Sequence, residues 1–165
     1  VLMVRDGDWK HQRRILVAVN VSGEQEYQDE FNQKLVETGI SLAENLNRGN
    51  VHLVAAYPSA PINMAIDLPE FNTSGYENGI RGQHLINMKA LRQKFGIDED
   101  HTHVREGFPE EVIPEVAKEI EAELVILGTV GRTGLSAALL GNTAEHVISK
   151  LSCNLLGIKP SKKDD

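Results

Sequence analysis

Apolar runs and amphipathic stretches take turns along the whole chain. The run at 15–19, ILVAV, is apolar throughout, as is LVIL at 124–127, and 51–57, VHLVAAY, is nearly so. Unbroken short runs of this kind predict strands covered on both faces, as in the middle of a parallel sheet. A shorter run, 101–105, HTHVR, and a last one at 154–159 predict two more strands. Between them the apolar positions fall three and four apart, as on one face of a helix. Over 26–47 these are Phe31, Leu35, Leu42 and Leu46, and over 77–95 they are Leu85, Met88, Leu91 and Phe95. Over 109–121 they are Val112, Val116, Ala117 and Ile120, and AEHVISKL at 144–151 continues the series.

Punctuation agrees with this reading. Ser22 is a suitable N-cap, Gly49 and Gly96 suit left-handed helix ends, and Pro109 suits a first helical position. Pro114 lies deeper, where an offset or a kink is expected because proline removes a backbone donor. Strands alternating with helices predict an α/β fold with an open five-stranded parallel sheet and helices on both faces. One stretch fits neither period. Residues 58–76, PSAPINMAIDLPEFNTSGY, carry three prolines, yet Ile62, Met64, Ile66, Leu68 and Phe71 make them apolar. A lid or pocket wall is one reading, and an insertion packed on the surface or a partner is the other.

Composition narrows the function classes. The 165 residues, 41% hydrophobic, suffice for one domain with its own core. A net charge of −7 argues against a nucleic-acid surface, which would need a basic face. A single cysteine, Cys153, leaves no intrachain disulfide and fits a reducing compartment, and no run reaches the length of a membrane span. A cytoplasmic protein is expected. His101 and His103 share one side of their strand, but no third zinc ligand lies near them in sequence, and His52 reads as a packed histidine. No metal site is assigned.

The most specific stretch is 124–144, LVILGTVGRTGLSAALLGNTA. A buried strand breaks into glycines and re-emerges at a helix start, where bare backbone and unpartnered N–H groups favour an anion. The P-loop and dinucleotide fingerprints are both missing. The pattern present is G-x2-G-x9-G, at Gly128, Gly131 and Gly141, preceded by VILG. This resembles the nucleotide-binding loop of the universal stress protein family. The segment at 103–128, HVREGFPEEVIPEVAKEIEAELVILG, is similar to that family's pattern as well.

The resemblance implies the adenine nucleotide alpha hydrolase-like fold with strand order 3-2-1-4-5. A ligand crevice then lies where the order reverses, at the carboxyl ends of the first and fourth strands. It also implies the site. Ala18, Val19 and Asn20 would line base and ribose, with a backbone contact from Ala55. Leu127, Gly128 and Gly131 would follow the ribose and first phosphate. Gly141, Asn142 and Thr143 would hold the outer phosphates, and Arg132 would add a charge. Nucleotide-binding members usually carry Asp where Asn20 stands, and Ser or Thr where Asn142 stands. ATP or a related nucleotide, with Mg2+ accompanying it, is the implied ligand. The departures at Asn20 and Asn142, beside the apolar 58–76 segment, admit an acylated or sugar-linked nucleotide instead.

The implied role is a stress-response regulatory module and not an enzyme, although some members hydrolyse ATP slowly. Residues 1–10, VLMVRDGDWK, resemble the apolar-then-basic close of the chain and read as the last strand and linker of a preceding domain. The domain proper is expected over 11–160, with a tail at 161–165. The whole would then be the second domain of a tandem member. Such domains pair through their last strands, so another universal stress domain is the expected protein partner, in tandem or as a homodimer. A scaffold that binds no nucleotide is the remaining alternative.

Overall fold

The computed structural model of the chain describes residues 1–4, 13–23, 26–46, 49–59, 73–129 and 142–160. Among the described residues, six strands and four helices follow one another as β1 (Leu2–Met3), β2 (Arg14–Ala18), α1 (Glu26–Asn45), β3 (Asn50–Tyr57), α2 (Thr73–Phe95), β4 (Thr102–Glu106), α3 (Pro109–Glu119), β5 (Leu124–Gly128), α4 (Asn142–Lys150) and β6 (Asn154–Ile158). A short 3-10 turn, Glu99–His101, leads into β4.

The sheet order is β1-β6-β5-β2-β3-β4, and β2 to β6 run parallel. Those five strands keep the expected 3-2-1-4-5 arrangement. The sheet has six strands rather than five, because β1 pairs antiparallel with β6, Leu2 opposite Leu156 and Met3 opposite Leu155. Gly157 N–H donates to Val1 O at 2.7 Å, so the pairing satisfies backbone groups along the β6 edge.

Alternation along the strands divides the core into two layers. Ile15, Val17, Leu53, Ala55 and Ile126 face α1 and α2, where Phe31, Leu35, Val36 and Met88 meet them. Leu16, Val54, Val125, Leu127 and Leu155 face α3 and α4, against Val112, Ile113, Val116 and Val147. Helix α1 lies close to the sheet at Gly39, where an added Cβ would stand 2.8 Å from Val17 Cγ2.

Helix α2 differs in part from its sequence reading. It begins at Thr73 rather than near residue 77, and of its expected inward residues Met88, Leu91 and Phe95 pack on the core while Leu85 does not. Leu85 and Ile86 are exposed, while His84 and Met88 are buried. On its outer side Arg92 pairs with Glu99 at 2.7 Å and Lys94 donates to Gln33 Oε1 at 2.6 Å. Helix α3 starts at Pro109, runs through Pro114 and ends at Glu119, ahead of Glu121 with its φ of 50°.

Candidate ligand-binding crevice

Where β2 and β5 lie side by side, the chain leaves β2 toward one helix layer and enters β5 from the other. Crossovers on opposite faces leave a gap above the carboxyl ends of such neighbours. Here that gap is an open crevice of about 760 Å3.

Its floor is built by strand ends. Beyond β2, Val19 N–H still bonds Val54 O at 2.9 Å, and then the chain turns. Asn32 of α1, 2% exposed, grips the turn from both sides. Its Oδ1 accepts from Asn20 N–H at 3.1 Å and its Nδ2 donates to Asn20 O at 2.6 Å. A side-chain amide thus takes the place of a strand partner for one residue. Gln28 Nε2 donates to the same Oδ1 at 3.2 Å, and Asn87 Nδ2 of α2 donates to Val21 O at 2.8 Å. Asn20 Oδ1 accepts from Ser22 N–H at 3.1 Å, which closes an Asx turn. With its oxygen engaged, exposed Asn20 offers its Nδ2 donors, which have no partner among the described residues.

At the end of β5 the decisive feature is a missing side chain. A Cβ on Gly128 would stand 2.4 Å from Phe31 Cε1, so only glycine lets the Phe31 ring pack under the crevice. Thr129 N–H then bonds Ile158 O at 2.8 Å and ties this end to β6.

Of the residues expected at the site, Ala18, Val19, Asn20, Leu127 and Gly128 come together on the crevice wall. Ala55 is 2% exposed with its side chain in the α1–α2 layer, and its strand neighbours Val54 and Ala56 line the crevice instead. Gly131, Arg132 and Gly141 lie outside the described residues. The backbones of Asn142 and Thr143 open α4, and their side chains lie outside the description. The 58–76 segment contributes Pro58 and Tyr76, while 60–72 lie outside the described residues.

Other lining residues were not foreseen: Ile80, Gln83 and His84 of α2, and Phe108 and Ile113 from around the start of α3. The spacing of Ile80, His84, Met88, Leu91 and Phe95 is a regular helical stripe, and reading it in that phase would have brought His84 inward. Among the described residues, no carboxylate, lysine or arginine lines the crevice. Its described surface is an uncharged slot fit for an apolar or aromatic body.

A second polar cluster stands apart from the crevice, toward the amino end of β3. The His52 ring lies 4.2 Å from that of His101 and 5.6 Å from that of His103, and His52 Nδ1 is 3.3 Å from His103 Nε2. Burial holds His52 well below the usual imidazole range, at about 4, with His101, His103 and Arg14 adding to the effect against Asp100. Burial lowers His103 too, against the pull of Glu119. Among the described residues, no group of three His, Cys, Asp or Glu side chains could hold a metal ion. Nor is any described helix long and apolar enough to cross a membrane.

Known proteins share this fold. The chain is 99% identical over 165 residues to the Universal stress protein E homolog of Haemophilus influenzae, covering all of this chain and 53% of that protein. It thus spans about half the length of the curated relatives it matches. The crystal structure of PA1789, a functionally unknown protein of Pseudomonas aeruginosa PAO1, superposes with a TM-score of 0.76 at 26% identity, over 96% of this chain and 51% of that one. A universal stress protein in complex with cAMP superposes with a TM-score of 0.50 at 20% identity, over 88% of this chain and 97% of that one, which shows likeness of fold. The profile of the Universal stress protein family matches residues 12–159, and this chain belongs to that family.

Proposed function

We propose that this chain is a ligand-binding regulatory module of the stress response, holding an ATP-like nucleotide over the carboxyl ends of β2 and β5. The observation that carries the reading is the crevice itself. It lies at the reversal of strand order and is walled by Ala18, Val19, Asn20, Leu127 and Gly128. An uncharged slot suits the base and ribose, and Asn20 presents amide donors at its mouth. The phosphates would extend toward the glycine loop of Gly131 and Gly141 and the start of α4, where Asn142, Thr143 and Arg132 stand in sequence. With no carboxylate on the described wall, a Mg2+ arriving with the nucleotide would be held by the phosphates. A family structure bound to cAMP supports a nucleotide as the ligand class. Binding, not turnover, is the proposed activity.

Calorimetric titration of the purified protein with ATP tests this, with Gly141→Ala as control. Saturable binding that the substitution weakens is expected. Absence of ATP binding, together with absence of a co-purified ligand in native mass spectrometry, would overturn it.

Two further readings each rest on one observation. The apolar lining residues Ile80, Phe108 and Ile113 favour an acylated or sugar-linked nucleotide, which mass spectrometry would reveal as a species heavier than ATP. The antiparallel β1–β6 pairing favours a surface where another universal stress domain joins, within one longer chain or between two, whether or not nucleotide binds.

A further inference from the structure

His84 is 6% exposed, yet it lines the crevice. Its ring rests against Tyr57, with centroids 5.7 Å apart, and its Nδ1 lies 2.9 Å from Ile80 O one helical turn back. A carbonyl oxygen can only accept, so Nδ1 carries the hydrogen, and in the neutral ring Nε2 is then a bare lone pair. Nε2 makes no hydrogen bond among the described residues. Nor is it sealed away: Glu123 Oε2 is the one fully enclosed side-chain polar atom without a partner there. His84 lines the crevice, which is where a ligand could meet this nitrogen. A ring held by a helix carbonyl on one edge and an aromatic neighbour on its side cannot readily turn to seek another partner.

We propose that His84 is a specificity-determining residue of this crevice, its Nε2 accepting a hydrogen bond from a ring-borne amine or hydroxyl of the ligand. The inference rests on the crevice being the ligand site proposed above, and it narrows the ligand's chemistry. The lining is uncharged and carries apolar Ile80, Phe108 and Ile113 besides amides, so an imidazole acceptor there imposes a distinct polar demand. A purine with an amine at position 6 meets it. A 6-oxo purine would set one acceptor against another, at the cost of an unsatisfied polar pair.

ATP and ITP, which differ at that position, are the probes for the first measurement, on wild type and His84→Phe. Wild type should prefer ATP by about tenfold or more, and the phenylalanine variant should bring the two affinities within about twofold. An unchanged ratio in a variant that still binds ATP overturns the inference and leaves the nucleotide reading standing. A second measurement on wild type needs no nucleotide. Phenol and anisole, an apolar ring with and without an O–H donor, are titrated while the nitrogen resonances of the His84 imidazole are followed by NMR. Movement of Nε2 with phenol alone supports the inference, and no movement with phenol overturns it. If neither ATP nor ITP binds, or if His84→Phe does not fold, the phenol titration decides.

Discussion

His52 offers a pH prediction that can be worked through. Folded, its imidazole stays neutral down to about pH 4, while in the unfolded chain it titrates near its ordinary value of 6.5. Between these values the unfolded state binds the proton and the folded state does not, so acid favours unfolding. The contribution is intact above pH 6.5, falls as the pH drops through the window, and is lost by pH 4. Each unit of displacement is worth about 1.4 kcal/mol, so the loss from this residue is about 2 kcal/mol at pH 5 and about 3 kcal/mol at pH 4. Lowering of His103 acts in the same sense. The assay is urea unfolding of wild type and His52→Leu from pH 7.5 to 4.5. Carboxylates common to both proteins cancel in the difference. The variant should gain about 2 kcal/mol on wild type between pH 7 and pH 5, or a relative rise of about 4–8 °C in Tm. Parallel curves, or an NMR titration of His52 centred near 6.5, would refute the reasoning.

Other expectations concern the crevice floor. Gly128→Ala sets a Cβ against the buried Phe31 ring, and overpacking of this kind costs about 1–3 kcal/mol. Adding Phe31→Leu should recover part of that loss, and additive effects in the double variant would sink the explanation. Asn32→Ala leaves both Asn20 backbone groups without their partner and should cost about 2–4 kcal/mol in urea unfolding. It should also weaken ATP binding, since the turn carrying Asn20 loses its clamp. If stability and binding are both unchanged, the clamp has no such role.

Most of the sheet was legible in the chain because a buried parallel strand has to be apolar on both faces. ILVAV and LVIL leave little else to read, and they became the neighbours β2 and β5. The glycine pattern begins at the end of β5, and the packing of Phe31 beneath Gly128 explains one of its glycines on grounds of space alone. Helix α2 was harder. Its sequence places Leu85 and Ile86 beside His84, and hydrophobicity alone assigns the inward face to leucine. The fold exposes Leu85 and buries His84, while Met88, Leu91 and Phe95 pack on the sheet core and Ile80 lines the crevice. A polar residue buried in preference to its apolar neighbour is where one residue's propensity conflicts with the packing of the whole helix. Such conflicts gather where a surface serves something other than stability. The same logic applies to Asn32, silent among the leucines of α1 until the turn after β2 places two backbone groups against it. Side chains that looked unremarkable in one dimension thus shape much of the crevice. Asn32 does so through the Asn20 backbone that it clamps with both of its polar atoms, and His84 by standing in the crevice lining itself.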